Sequence, residues 1–439
     1  MTSTETLIVG AGLAGLSAAY HSRRADTLVV EKDSEVGGLC RSSRIGGFTF
    51  DHPGHVLHLK DAGVRRFLHE LLPDAFAETE RQALVYSHGV HTRYPFQVNT
   101  RGLPAAVIGD CVLGFAATMV RRGAEARDFK AWILRTFGHG IAQHFMLPYN
   151  QKLYQVDLAE LEADWAAWSI PRPRLRQVVR GAVGQEVGGL GYNARFLYPK
   201  AGGIDVIARA IATRCGEIRL NRSVQKIDPL RRSVELDGGE TVQYRQLIST
   251  MPLDALLGLL EPSPHPELQA AASRLRAVRV VSMSFGVNRT DILPGHWVYF
   301  PEPQFPFYRV GCPSNYAPAM APRGCSALSV EVSVSRVTQV ETDRLRDEVL
   351  DGLRRARVLR ASDQIVAEEI QVLDPAYVIH DHYRREVLPR LLALLGEYGI
   401  DSIGRYGCWE YGSMESALRQ GQISAGQGRG VARSDSRAR

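Results

Sequence analysis

The amino-acid sequence predicts an α/β protein in three parts: a discontinuous nucleotide-binding domain, an inserted helical lobe and a domain built on an antiparallel sheet. Three observations support this prediction. A glycine-rich turn follows the first apolar strand, the middle of the chain has apolar residues at helical spacing, and short alternating strands bounded by Pro and Gly follow later. The chain has 439 residues, which is long for one hydrophobic core, so more than one lobe is expected.

The glycine-rich turn lies in TLIVGAGLAGLSAAYHSRR, which indicates a strand, a turn and a helix. In a Rossmann-like dinucleotide site, Gly10 makes the tight turn, Gly12 lets the backbone approach a pyrophosphate, and Gly15 permits close helix packing. The second strand, in DTLVVEKD, ends on Glu31, which we expect to bind ribose hydroxyls. The residues assigned to this part of the cofactor site are Gly10, Gly12, Leu13, Ala14, Gly15 and Glu31.

The continuation EKDSEVGGLCRS resembles the FAD-dependent amine oxidase and mutase superfamily. Three later pieces add to the resemblance: NRSVQKID, whose valine would lie along the adenine, LISTMPL, and GRYG. They imply that the chain returns twice to its first domain, although each piece alone is also compatible with an ordinary strand. The further FAD contacts that the resemblance implies are Lys32, Gly38, Leu39, Arg41, Val224, Gly404, Arg405 and Ser416.

The resemblance also divides the chain. A helical lobe is predicted where stretches such as AAVIGDCVLGFAATMV show helical spacing, and a substrate-binding sheet where pieces such as CSALSVEVSVS alternate. The predicted ranges are 1–90, 196–265 and 396–425 for the FAD-binding domain, 103–190 for the helical lobe, 91–102 and 266–395 for the sheet domain, and 426–439 for a disordered tail.

Composition excludes several classes of protein. The formal charge of +6 is modest for this length, so no nucleic-acid partner is expected. No run of about eighteen apolar residues and no cleavable leader is evident, so we expect a cytoplasmic protein with no membrane partner. The six cysteines show neither zinc nor redox spacing, and no metal site is predicted. The sequence does not predict an oligomeric state.

Several passages together resemble the UDP-galactopyranose mutases, in particular their eukaryotic-type branch. PGHVLH resembles the glycine-histidine loop beside the flavin, RYPFQVN the uridine-binding segment, and FMLPYNQKLY and GYNARFLYP the two asparagine motifs. HWVYFPEPQFPFYRVGCPSNYAP resembles the tyrosine-arginine substrate loop, and GRYGCWEY the carboxy-terminal flavin motif. These passages occur in the family's order.

The segment TRYPFQVN has a physical explanation of its own. Tyr94 and Phe96 flank a proline and would form a stiff platform on which a uracil base stacks, at about 1–3 kcal/mol per base. Gln97 offers a donor and an acceptor to the edge of a pyrimidine. The alternative is that both rings are core residues of an edge strand.

The resemblance implies how a UDP-sugar is held. Arg309 would bind the diphosphate through its planar fork. Tyr299, Tyr377 and Tyr411 would add hydroxyl donors, although each could instead be structural. His55 would lie against the flavin, although a lone histidine after glycine is often structural. The asparagines of the two motifs, which would touch sugar or phosphate, are Asn150 and Asn193.

One departure from the family pattern concerns a second phosphate-binding arginine. In this chain the aligned position, in DWAAWSIPRPRLR, is Ser169. Arg172 or Arg174 is a possible substitute from a shifted loop, and we assign Arg172 to the substrate site. Without a substitute, we expect weaker diphosphate binding or a different sugar.

The resemblance implies an isomerase. A pyranose and a furanose form of a UDP-sugar would interconvert through a covalent adduct between the sugar and N(5) of reduced FAD, with no net redox change. NAD(P)H or another reductant would activate the flavin. Two alternatives remain open: an FAD-dependent oxidoreductase of the amine oxidase or desaturase class, which shares the cofactor motifs, and a flavin-containing binding protein without turnover.

Overall fold

The computed structural model describes residues 2–22, 26–120, 126–165, 170–185 and 194–426. These residues form two seven-stranded sheets, two small two-stranded sheets and helices packed around them. The sheets differ in strand direction and in the parts of the chain that supply them. The α/β fold class predicted from the sequence is confirmed.

The helices that the structure describes are α1 (Leu13–His21), α2 (Ala62–Leu71), α3 (Ala105–Thr118), α4 (Phe129–Ile141), α5 (Leu147–Tyr154), α6 (Leu175–Ala182), α7 (Asp205–Ala212), α8 (Leu253–Gly258), α9 (Pro266–Ala272), α10 (Thr342–Arg355), α11 (His382–Glu397), α12 (Gly404–Gly407) and α13 (Met414–Gly426). The strands are β1 (Thr2–Val9), β2 (Thr27–Val30), β3 (Ser42–Ile45), β4 (Phe48–Asp51), β5 (Phe76–Glu80), β6 (Ala83–Ser87), β7 (Val90–Arg93), β8 (Arg195–Pro199), β9 (Glu217–Arg219), β10 (Val224–Asp228), β11 (Ser233–Leu236), β12 (Thr241–Ser249), β13 (Ala277–Val287), β14 (Trp297–Tyr299), β15 (Arg309–Gly311), β16 (Ser326–Ser335), β17 (Ile365–Val378) and β18 (Ile400–Ser402).

The first sheet carries the glycine-rich turn. Its strand order is β10-β11-β12-β1-β2-β9, and β18 pairs in parallel with β12. The central strand β1 runs parallel to β2 and β12, and its buried Leu7 and Ile8 are typical of a strand covered on both faces. Strands from three separate parts of the chain therefore form one nucleotide-binding layer.

The second sheet has the order β17-β13-β16-β15-β14-β6-β7 and is antiparallel except where β6 and β14 run in parallel. The position of strand β6 differs from the predicted domain boundaries. It lies inside the range 1–90 assigned to the FAD-binding domain, yet it pairs with β14 of the second sheet. Burial explains the placement, because the side chain of Val85 is fully buried in the core beside the helical lobe.

Helices α3 to α6 form the helical lobe, and two glycines bring α3 and α4 into close contact. A Cβ on Gly140 would lie 2.1 Å from the carbonyl oxygen of Asp110, so no larger residue fits there. Helix α4 is interrupted at Gly138, whose φ of 74° is in the left-handed region. A π-helical stretch, Ala142–Met146, then leads into α5, which faces the second sheet. Within the described ranges, no helix combines the length and apolar content needed to cross a bilayer.

A buried carboxylate, Asp51, joins the β3–β4 hairpin to the rest of the first domain. It accepts hydrogen bonds from the Ser42 hydroxyl (2.6 Å), the Tyr198 hydroxyl (2.6 Å) and the Ile204 backbone N–H (3.1 Å). Burial raises the pKa of the Asp51 carboxyl to about 6, although these hydrogen bonds oppose the shift. Asp51 is the last residue of β4 and therefore fixes the start of the loop that carries His55.

The raised pKa of Asp51 predicts a pH-dependent contribution to stability. Because the pKa is higher in the folded chain than in the unfolded chain, the contribution is fully present below about pH 4 and is lost as the pH rises through about 6. The unfolding free energy of Asp51→Asn minus that of the wild type should therefore increase by roughly 1–3 kcal/mol as the pH is raised from 4 to 7. Urea unfolding at each pH measures both values.

The control is Glu397→Gln, which alters an exposed carboxylate on α11. The difference in unfolding free energy between this variant and the wild type should stay constant over the same pH range. A constant difference for Asp51→Asn as well would contradict the assignment of the pH dependence to Asp51.

Candidate functional site

A cavity of about 920 Å³ is lined by residues of both large sheets. The glycine-rich turn, Arg309 and a group of tyrosines all contribute to its lining. The predicted cofactor residues that line it are Gly10, Gly12, Leu13, Ala14, Glu31, Lys32, Gly38, Leu39, Arg41, Val224, Gly404 and Arg405. The predicted catalytic residues that line it are His55, Tyr299, Arg309, Tyr377 and Tyr411.

The glycines of the turn have different physical roles. Gly10 has a φ of 99°, and a Cβ there would lie 2.2 Å from Thr250 Oγ1. A Cβ on Gly15 would lie 1.9 Å from the carbonyl oxygen of Gly10, which reflects the close packing expected of this position. At Gly12 the backbone is ordinary, with a φ of −73°, and the nearest atom to a Cβ is Gly38 Cα at 3.8 Å. Gly12 therefore forms an open part of the cavity wall.

The N-terminus of α1 faces this wall. No side chain caps it, and Gly12 occupies the N-cap position. Backbone N–H groups at an uncapped helix start suit a pyrophosphate. Glu31 is 7% exposed, and its carboxylate accepts from the backbone N–H groups of Ala11 (2.7 Å) and Asp33 (3.0 Å). Each oxygen keeps a further lone pair for a ribose hydroxyl.

His55 is a neutral imidazole in the cavity wall. Burial, with smaller contributions from the positive charges of Arg405 and Arg309, lowers the pKa of His55 to about 4. Its Nδ1 lies 2.8 Å from the Pro53 carbonyl oxygen, which can only accept, so the proton is on Nδ1. Nε2 is left as an acceptor at the cavity surface.

Arg309 is held by a buried carboxylate that the sequence analysis did not identify. Its Nε donates to Glu331 Oε1 at 3.1 Å, and Nη2 donates to the same oxygen. The Tyr308 hydroxyl donates to the other oxygen of Glu331. Burial alone would lower the pKa of Arg309, but the carboxylate and nearby tyrosines keep that pKa well above its ordinary value. The guanidinium therefore stays charged, and Nη1 remains available to an anion.

Sheet register explains why these groups meet. Tyr299 pairs with Arg309 across β14 and β15, and Arg309 pairs with Glu331 across β15 and β16. Directly opposed residues of neighbouring strands have their side chains on the same face of the sheet. The same row continues to Ser282 on β13 and Gln371 on β17, so a polar row crosses the sheet beneath the cavity.

Arg405 is a second cation in the cavity lining. Its Nη2 donates to the Ala376 carbonyl (3.0 Å), and its guanidinium carbon is 5.2 Å from the ring centres of both Tyr377 and Tyr411. Its Nε is buried and has no hydrogen-bond partner among the described residues. Such a cation, held by rings and carbonyls instead of a carboxylate, is suited to a negatively charged ligand or cofactor.

The predicted uracil platform is only partly formed. Tyr94 is half-buried, with its ring 5.2 Å from that of Tyr299, which lines the cavity. Phe96 offers no surface for a base in this structure, which contradicts its predicted role. Its side chain is fully buried and stacks on Phe145, with 5.1 Å between the ring centres. Gln97 is 2% exposed and donates to the Pro171 carbonyl, while its Oε1 has no partner among the described residues.

Four further predicted residues lie elsewhere or outside the described ranges. Asn150 does not line the cavity, because its Nδ2 donates to the Met146 carbonyl one turn earlier on the helix (2.7 Å). Ser416 caps α13 through reciprocal bonds with Ser413 and does not reach the cavity. Arg172 is exposed, with its guanidinium over the Trp132 ring. Asn193 lies outside the described residues, as does Ser169.

Two site residues were missed by sequence analysis. Glu331 is the one charged residue in SALSVEVSVS, an otherwise small and apolar strand, and that isolation was an available signal. Tyr149, next to the predicted asparagine, brings α5 to the site, because its ring lies 5.5 Å from that of Tyr299. Its signal was weak, since an aromatic residue on a helix is usually part of a core.

The residues fit an extended dinucleotide. The open Gly12 wall, the Glu31 carboxylate, His55 and Arg405 line the same cavity, and the uncapped start of α1 lies at Gly12. The donor set is backbone N–H, carboxylate and arginine, as the pyrophosphate, ribose and redox ring of a flavin dinucleotide require.

Comparisons with known proteins agree with this geometry. The structure is similar to that of a reduced UDP-galactopyranose mutase, with a TM-score of 0.92 and 27% identity over 97% of this chain and 93% of the other. It resembles in fold a putrescine oxidase redesigned in its cofactor binding, with a TM-score of 0.63 and 16% identity over 97% and 98% of the two chains.

A segment of 140 residues is 31% identical to coproporphyrinogen III oxidase of Mycobacterium leprae (strain TN), and it covers 30% of this chain and 31% of that relative. The match thus spans less than a third of the relative's length. The model of the family described as flavin-containing amine oxidoreductase matches residues 13–427. The chain therefore belongs to the flavin-containing amine oxidoreductase family.

Proposed function

We propose that the protein is an FAD-dependent UDP-sugar mutase of the eukaryotic UDP-galactopyranose mutase type, interconverting pyranose and furanose forms of a UDP-sugar. One observation carries the proposal: a charged arginine with a free Nη1, flanked by tyrosine side chains, shares one cavity with a dinucleotide-binding turn. An amine or apolar substrate has no need for such a cation. The similarity to a reduced UDP-galactopyranose mutase supports the same conclusion.

The chain's own residues would bind and orient the diphosphate. Arg309 would donate to a phosphate oxygen through Nη1 while Glu331 holds its other two nitrogens in place. Tyr377 and Tyr411 would add hydroxyl donors. Negative charge develops on UDP as it leaves the sugar, and preformed donors stabilise that charge without reorganisation.

The flavin would supply the chemistry that the side chains lack: in its reduced state it offers a nucleophile to the anomeric carbon and is regenerated unchanged. His55 would accept a hydrogen bond at Nε2, because its proton is on Nδ1 and its pKa is lowered to about 4. Around it, aromatic walls would exclude water from the reacting sugar.

One observation favours a second candidate, an FAD-dependent oxidoreductase of the amine oxidase or desaturase class. Phe96 and Gln97 are buried in this structure, so the uracil site is incomplete. The fold likeness to a putrescine oxidase is compatible with this class. Redox stoichiometry distinguishes the two candidates.

The first prediction concerns redox stoichiometry. The protein, reduced with dithionite and supplied with a panel of UDP-sugars, should convert at least one between ring forms without consuming reducing equivalents. The oxidised protein should be inactive, because its flavin is not nucleophilic. Products are followed by NMR and flavin oxidation by absorbance. Steady turnover of the oxidised protein, with one peroxide formed per product, would show that the oxidase candidate is correct.

The second prediction concerns the open wall at Gly12. Gly12→Val should abolish flavin retention, because the added side chain occupies the space proposed for the pyrophosphate while the backbone φ of −73° accommodates it. The ratio of flavin to protein absorbance measures retention, and circular dichroism checks folding. The control, Gly258→Val, changes a glycine with no atom within 4 Å of an added Cβ and should keep its flavin. A folded Gly12→Val protein with full flavin would contradict the cofactor assignment.

The third prediction concerns Arg309. Arg309→Met should weaken UDP binding at least about tenfold, because a charge-assisted hydrogen bond to phosphate is lost, while flavin content is unchanged. Isothermal titration measures the affinity. Arg289→Met is the matched control, since Arg289 forms two hydrogen bonds to Asp363 outside the cavity. Equal UDP affinity of the Arg309 variant and the wild type would count against the diphosphate site.

A further inference from the structure

The cavity contains a cation that no motif identified. Arg81 lies just before β6, is half-buried and lines the same cavity as Arg309. Its guanidinium carbon is 5.2 Å from the ring centre of Tyr94. Within the described ranges, no carboxylate lies at ion-pair distance from Arg81. Its charge is therefore fixed in place without being neutralised by the protein.

The β6–β7 hairpin explains why Arg81 and Tyr94 are neighbours. The backbone N–H of Tyr94 donates to the carbonyl of Ala83 at 2.9 Å, which closes the open end of the hairpin. The next residue after Arg81 is tied to β14, because the Gln82 carbonyl accepts from the backbone N–H of His296 at 2.8 Å. These backbone hydrogen bonds place Arg81 and Tyr94 next to each other at the open end of the hairpin.

Three other arginines of the cavity are already paired with carboxylates. Arg41 pairs with Asp33, Arg309 with Glu331, and Arg336 with Asp254. Lys32, Arg222 and Arg405 also line the cavity without a carboxylate partner among the described residues. The first two flank the ends of strands next to the glycine-rich turn. Arg405 is near enough to His55 to lower its pKa, and we expect the flavin there.

The residues considered as substitutes for the missing arginine do not reach the cavity. Arg172 lies over the Trp132 ring, and Arg174 is exposed at the start of α6. A nucleoside diphosphate bound at Arg309 carries two phosphate groups, and a second cation in the same cavity would neutralise more of their charge. Arg81 lines the cavity, has no carboxylate partner among the described residues, and lies with its guanidinium over the Tyr94 ring.

We infer that Arg81 is a phosphate-binding residue that supplies the positive charge absent at Ser169. This inference rests on the proposed function. The Tyr94 ring supports one face of the guanidinium, and its N–H groups donate to an oxygen of the nucleotide phosphates. The positive charge near the bound base also disfavours a proton on His58, whose pKa is lowered by burial and, to a smaller extent, by Arg81.

The test compares uridine, UMP and UDP binding to the full-length flavoprotein by isothermal titration. Arg81→Gln should weaken UDP binding about tenfold or more and leave uridine binding unchanged, because uridine has no phosphate. Arg81→Lys should recover part of the UDP affinity. The matched control is Arg274→Gln, since Arg274 also lies over a tyrosine ring, that of Tyr383, but outside the cavity.

A second arm separates two sources of phosphate. Flavin reduction by NADPH is compared with reduction by dithionite, which carries no phosphate. Slower reduction by NADPH in Arg81→Gln, with UDP affinity unchanged, would overturn the inference and assign the charge to the reductant. Equal losses for uridine and UDP would overturn it too, because Arg81 would then act only by supporting Tyr94.

Unchanged UDP affinity in Arg81→Gln, with a wild type that binds UDP, would refute this inference and leave the proposed function intact. Absence of UDP binding in the wild type would refute both. Flavin content and thermal denaturation of each variant show whether folding is affected. If Arg81→Gln does not fold, Arg81→Lys decides, because a shorter reach with the same charge should still weaken UDP binding more than uridine binding.

Discussion

The register of the second sheet is the constraint on which the site depends. Tyr299, Arg309 and Glu331 are direct cross-strand neighbours on β14, β15 and β16. A shift of one residue would turn each of these side chains to the other face of the sheet. The buried Glu331 carboxylate, 3% exposed, would then lie without its arginine in an apolar core, at a cost of several kcal/mol. Ion pairing and strand register therefore support each other.

Charge organises the cavity around this row. Arg309 and Arg405 both lower the pKa of His55, so two fixed positive charges flank a neutral histidine. Glu331 offsets the charge of Arg309 and still leaves one of its nitrogens free, whereas Arg405 is held by carbonyl groups and aromatic rings. The protein thus supplies positive potential without a matching surplus of carboxylates, which is the electrostatic condition for binding an anionic cofactor next to an anionic substrate.

Both seven-stranded sheets contribute residues to the lining of this cavity. The first sheet presents the glycine-rich turn and the start of α1, and the second presents its polar row. Between them runs the loop that carries His55, whose start is fixed by the buried Asp51. Packing in the first domain therefore affects the site without contributing a side chain to the proposed chemistry.

Sequence by itself determined the features that depend on local backbone geometry. The glycine spacing, the strand before it and the acidic residue at the end of β2 define the cofactor turn, because tight turns and close helix packing require glycine at particular positions. The motif around Arg309 identified the cation that faces the cavity. Tertiary structure decided what lies opposite these residues: Glu331 beside Arg309, Arg81 beside Tyr94, and Phe96 buried against Phe145. Such contacts join side chains of different strands and helices, and a local pattern cannot show whether an aromatic ring faces a ligand or a core.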